Sequence, residues 1–117
     1  MVSAHNPASA PMREWKWTPA EKTAARRAFD LALSHELEAV IREARDRAAR
    51  INEASELWDL ERWLGECRRR IDSTFDYRYS VLLHVFASLL RSGRLTEDDL
   101  RGLDPTKLDA IRHIARS

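Results

Sequence analysis

The stretch ELWDLERWLGECRRRIDSTFDYRYSVLLHVFASLL, Glu56 to Leu90, decides how the chain is read. Its large apolar residues recur every three or four positions, the spacing of one helix face. Leu57, Leu60, Leu64, Cys67 and Ile71 form such a stripe and predict a helix that begins at Asn52 or Ser55. Glu56, Asp59 and Glu61 fall near its positive N-terminus and Arg68, Arg69 and Arg70 near its negative C-terminus, which suits the helix dipole. Further on, VLLHVFASLL is apolar on nearly every face. It predicts a central helix from about Asp76 to Ser92, stopped by Gly93, with Phe86 and Leu90 pointing inward.

Upstream, Thr18-Pro19-Ala20-Glu21 reads as a helix start, with Thr as N-cap, Pro in the first turn and Glu closing a capping box. Trp17 stands where a hydrophobic staple would. Ala25, Phe29, Leu33, Leu37, Val40, Ala44, Ala48 and Ile51 then step by three or four. They predict one helix from Pro19 to Ile51, roughly 50 Å long at 1.5 Å per residue. The residues after it make a body with a diameter on the order of 30 Å, so the helix overhangs it. An overhanging apolar stripe needs a partner, and a second copy of the chain supplies one. The expected dimer face is Phe29, Leu33, Leu37 and Val40 with Leu57, and the alanines along the helix permit close approach.

Downstream, Thr96 caps a short fourth helix, and Asp104-Pro105 starts a fifth with Leu108, Ile111 and Ile114 as its buried edge. The expectation is all-α: a disordered tail over 1–16, a long helix over about 17–54 and a compact helical head over about 55–117. The first residues, MVSAHNPASAPM, lack the charged and apolar regions of a secretory signal, and Met12 is a second candidate for the start.

Composition narrows the function classes. The formal net charge of +1 in a chain with 20 basic and 19 acidic residues offers nucleic acid no general attraction. Seventeen of the basic residues are Arg, so a nucleic-acid-associated helical dimer or an adaptor with another partner stays as the alternative reading. The single cysteine excludes an internal disulfide and fits a reducing, cytoplasmic setting. No apolar run is long enough for a membrane helix.

Catalysis finds no support. The chain has no Gly-rich phosphate loop and no Cys/His metal spacing. Ser80 and His84 lie one helical turn apart without a third group. His35 and Glu38 share a face, but two ligands on one helix make no metal site. Neither metal nor cofactor is expected. Cys67 reads as a small buried hydrophobe, His84 as a satisfied core or interface histidine, and His113 as a cation in a last turn. Trp63 reads as packing. Trp58, off the line of Leu57 and Leu60, reads as an interface aromatic. The triple arginine either complements the dipole or meets an acidic partner.

A spaced set of uncommon residues also resembles the fluorescence recovery protein family of cyanobacteria. The set is Trp17-Thr18 with Glu21, Leu57-Trp58 with Leu60, Arg68, Ile71-Asp72, Asp76 with Arg78, Ser80-Val81, Val85-Phe86-Ala87, Leu89-Leu90 and Gly93. The resemblance implies an all-helical antiparallel homodimer that binds the orange carotenoid protein and speeds its return to the resting state. It matches Leu57 to the family's dimer-interface leucine, Trp58 to the tryptophan beside it and Arg68 to the partner-binding arginine. It also exposes departures. The family's His-Asp pair is Glu61-Arg62 here, a head aromatic is His84, and a lysine near the C-terminus is Ala110. The partner-binding set is therefore Trp58, Glu61, Arg62, Arg68, His84 and Ala110. Exchanging Asp for Arg reverses a charge on that surface, which predicts weaker binding of the cyanobacterial partner.

Overall fold

A computed structural model of the chain describes residues 11–117. The first ten residues of the expected tail lie outside the described residues. Pro11 to Lys16, expected to belong to it, instead include a 3-10 turn at Met12–Glu14, and Met12, Trp15 and Trp17 pack against the core.

Helix α1 runs Pro19–Ala49 and opens as its sequence requires. The Glu21 N–H donates to the Thr18 hydroxyl and the Thr18 N–H to Glu21 Oε1, both at 3.1 Å. Trp17 packs against the core. It lies 5.2 Å from the Tyr79 ring. Helix α2 spans Ala54–Thr74, with Glu53 and Glu56 forming its own capping box. It continues past Ile71, so Arg68 to Arg70 stop short of the last turn, which carries no basic residue. The dipole account of the triple arginine is thereby corrected, since that effect fades within one turn.

Helix α3 is Leu82–Arg91, much shorter than expected. Asp76 to Val81 stay irregular because their side chains are engaged elsewhere. The Arg78 guanidinium grips the Asp76 carboxylate at 2.6–3.0 Å, and Tyr77 turns back onto Phe29 of α1. Gly93 ends α3 at φ +76°, a conformation glycine adopts without strain. The expected fourth helix is a 3-10 turn, Asp98–Leu100, held by reciprocal Thr96–Asp99 bonds. Helix α4, Pro105–Arg116, is capped by Asp104, which accepts from the Lys107 N–H at 3.0 Å.

Two bodies result, and they share α1. Its first half is the floor of the head: Ala24, Ala25, Ala28, Phe29 and Ala32 are buried with Leu82, Leu83, Val85, Phe86, Leu89, Leu100 and Ile111. The long helix is thus not separate from the head. Its alanines serve close approach within the chain, since a Cβ on Gly102 (φ +104°) would stand 2.7 Å from that of Ala24. Phe29, expected at the dimer face, is corrected to the core. It is 5% exposed and meets Phe75 and Tyr77 edge-on. Phe86 is fully buried as expected, whereas Leu90 is only half-buried.

The second half of α1 pairs antiparallel with α2. Phe29–Phe75, Glu36–Arg70 and Arg47–Trp63 mark the line of contact from the head toward the tip. The chain measures 74 × 24 × 21 Å, with a radius of gyration of 18.4 Å. A compact chain of this size would have about 13 Å.

Lys107 and Glu21 hold the two ends of the head together. The Lys107 ammonium donates to Glu21 Oε2 at 3.0 Å, to the Lys16 carbonyl at 2.8 Å and to Asp104 Oδ2 at 3.4 Å, and it lies 4.9 Å from the Trp17 ring centre. Glu21 Oε2 also accepts from the Asp104 N–H at 3.1 Å. Both side chains are almost fully buried.

Candidate interaction face

Helix α2 is unusual for its length: of 21 residues only Cys67 is buried. In α3, with ten residues, six are. At about 100° per residue the side chains of α2 sort into three stripes. Trp63, Cys67, Arg70 and Thr74 form the side toward α1, as Arg47 on Trp63 at 4.5 Å and Glu36 on Arg70 at 2.9 Å establish. About a third of a turn away run Leu57, Glu61, Leu64 and Arg68. The last third carries Trp58, Arg62 and Arg69. The expected inward stripe is therefore corrected. Leu57 and Leu64 leave it, at 46% and 40% exposed, and Trp63 joins it as packing.

The same geometry holds on α1, where Phe29, Glu36 and Arg47 face α2. Leu33, Leu37 and Ile41 come next around the helix and line a shallow groove with Asp30, Ser34 and Glu38. Leu37 is 43% and Ile41 48% exposed. In an antiparallel pair of right-handed helices, residues displaced in the same sense from the two contact lines fall on the same side. Leu33, Leu37 and Ile41 thus share one face of the hairpin with Leu57 and Leu64, and Val40 is half-buried beside it. Sequence reading missed Ile41, which continues the i, i+4 step from Leu33 and Leu37, and it placed Leu64 on the inward stripe.

The six expected partner-binding residues do not make one head surface within a single chain. Trp58, 57% exposed, stands near the hairpin tip, and about 24 Å of helix separates it from Thr74 at 1.5 Å per residue. Glu61, Arg62 and Arg68 are exposed along the same helix, Arg62 pairing with Asp59 at 2.9 Å. Only His84 and Ala110 belong to the head. His84 is exposed, which removes the core reading, and Ala110 packs against the core.

Polar contacts absorb much of the charge. Among the described residues nine arginines sit in ion pairs with carboxylates. Glu36 serves two of them: Oε2 accepts from Arg70 and Oε1 from Arg94, each at 2.9 Å. Burial alone would raise its pKa, but those two guanidinium bonds hold the carboxyl below its ordinary range. Tyr77 is pushed up to about 12, first by burial and then by the Tyr79 hydroxyl. His35 is spent on a backbone contact, Nδ1 to the Arg94 carbonyl at 3.0 Å, not on Glu38. No helix among the described residues is long and apolar enough to cross a membrane.

Comparison with known proteins completes the account of this face. The family model described as the photoprotection regulator fluorescence recovery protein matches residues 17–115. The chain belongs to the fluorescence recovery protein family. It is 33% identical to the fluorescence recovery protein of Synechocystis sp. over 103 residues, 88% of this chain and 94% of that one. The solved structure of the Fremyella diplosiphon fluorescence recovery protein superposes with a TM-score of 0.83 at 40% identity, covering 87% of this chain and all of the other. That from Synechocystis gives the same TM-score at 32% identity, with the same coverage. The family is one of regulators rather than enzymes, and its all-helical architecture with a long first helix is the one described above.

Proposed function

We propose that this photoprotection regulator works as an antiparallel homodimer that binds an orange carotenoid protein and favours its resting conformation. The observation that carries the reading is the uncovered face of the hairpin. Leu37, Ile41, Leu57 and Leu64 are each 40–48% exposed, in a chain whose head core is otherwise closed. Apolar surface on both helices of one hairpin fits a second hairpin laid against it. Beside it, Trp58 and Arg68 are the residue types that anchor interfaces. A regulator of this kind acts by binding one partner conformation better than another, so its effect is limited by that difference in affinity. The net charge of +1 and the local pairing of nine of the seventeen arginines count against the nucleic-acid reading.

Leu57→Glu tests the assembly. The parent will scatter light as a dimer at micromolar concentration, and the variant, which places a charge in an apolar contact, as a monomer. A monomeric parent would remove the basis of the proposal.

Glu61 and Arg62 test the partner. They sit on adjacent stripes of α2, and Arg62 is held by Asp59 only at the surface. The parent will accelerate dark recovery of a photoactivated cyanobacterial orange carotenoid protein less than the Synechocystis protein does. Glu61→His with Arg62→Asp will regain several-fold of that rate, since relieving like-charge opposition is worth a few kcal/mol. Full parental activity would mean that the exchange is tolerated. No gain in a folded, dimeric double variant would place the mismatch elsewhere on the surface.

A further inference from the structure

The whole interaction face depends on what fixes the rotation of α2. A helix with one buried residue in 21 is poorly oriented by packing. Turning it by a third of a turn would exchange the Leu57–Arg68 stripe for the one that faces α1. Few contacts oppose that turn. Arg47 against Trp63 is a cation–π contact at a rim, with Arg47 39% exposed. Glu36 differs. Its side chain is 11% exposed, it is rooted in the rigid middle of α1, and it holds Arg70 through one oxygen while the other holds Arg94 beyond α3. The carboxylate thus joins both helices of the hairpin to the head. Arg70 also reaches Cys67 Sγ at 3.9 Å on the same inward stripe. Arg68, two residues back, is turned by about 200° from Arg70 and points away from α1.

We infer that Glu36, acting through Arg70, is a positioning residue that sets the rotation of α2 and so presents Leu57, Leu64 and Arg68 outward. It touches no partner itself. The functional arm of this inference rests on the proposed partner, whereas the structural arm does not.

Cys67 supplies the reporter, being the sole thiol, 3% exposed and on the stripe that the latch holds inward. In Arg70→Gln and Glu36→Gln, the labelling rate of Cys67 by a maleimide will rise at least fivefold. The double variant will rise no further than the larger single, because the two changes act on the same Glu36–Arg70 bond. Arg69→Gln, which makes the same charge change on an outer stripe, will leave labelling at the parental rate. So that unfolding is not mistaken for rotation, labelling is read where circular dichroism gives each variant the parent's helicity. Arg70→Lys, which keeps a charge-assisted bond to Glu36, will restore most of the protection. Parental labelling in Arg70→Gln overturns the inference. So does an equal rise in Arg69→Gln, which would mark a general loosening. In the recovery assay, Arg70→Gln will lower the maximal acceleration of the orange carotenoid protein more than it raises the half-saturating concentration. A parent inactive in that assay would defeat the proposed partner and leave the labelling result standing.

Discussion

Replacing Lys107 with Met will destabilise the head by about 3–5 kcal/mol, the range for stripping one partner from a buried ion pair. Methionine keeps the unbranched stem, so the loss isolates the charge. Glu21 would stay buried with only the Thr18 and Asp104 N–H groups, and the Lys16 carbonyl would lose its donor. Thermal unfolding followed by circular dichroism measures the cost. The double change Glu21→Leu with Lys107→Met will cost less than Lys107→Met alone, because an apolar pair carries no desolvation debt. A double variant as unstable as the single would show that the bonds, not the unpaired charge, carry the effect. The pair also has a pH signature. Burial raises the Glu21 pKa, but the bonds from Thr18, Asp104 and Lys107 outweigh it and leave the carboxyl below its ordinary 4.5. A depressed carboxyl lends stability above the unfolded pKa and loses it as pH falls through the folded value. The melting temperature of the parent will therefore drop below about pH 4.5, and Glu21→Gln will flatten that decline.

Phe86→Ala is the second large effect, expected to cost about 3–5 kcal/mol. The ring is fully buried in the middle of α3, among Leu82, Leu83 and Leu89 on one helix and the alanine floor of α1. Helices on either side limit collapse into the cavity, which keeps the penalty high. A domain of this size has about 5–15 kcal/mol in total, so the variant will be partly unfolded at moderate temperature. A melting temperature equal to the parent's would mean that Phe86 is not where the structure places it.

Local rules made much of the fold legible. Thr18 with Glu21, Asp104 with Pro105 and Gly93 mark ends because caps are short-range chemistry, and the apolar run around Phe86 could only be a centre. Residues with two uses were harder to read. Glu21 and Glu36 occupy places on apolar stripes, Glu21 one turn before Ala25 and Glu36 seven residues after Phe29. Lys107 does the same one turn before Ile111. A charge on such a stripe signals a buried pair, but its partner lies 86 residues away for Glu21 and 34 for the Glu36–Arg70 bond. Spacing cannot supply that link. Residues 76–81 read as helix because the apolar run beyond them hid the pull of Tyr77 and Asp76 toward side-chain partners. The site suffered similarly. Exposed and buried apolar positions on α2 alternate at nearly the same period, so Leu57 and Trp63 exchange roles with a small rotation.

The sharing of α1 between hairpin and head has a consequence for synthesis on the ribosome. The chain emerges from its N-terminus, and α1 with α2 is complete before α3 and α4 exist. The hairpin can close early from sequence-local contacts, while the alanine floor and Phe29 must wait for partners made much later. During that interval the first half of the helix is an uncovered apolar strip, the kind of surface on which nascent chains aggregate or recruit chaperones. Its use of small alanines, rather than leucines, leaves that strip narrow and only weakly adhesive until the head arrives to cover it.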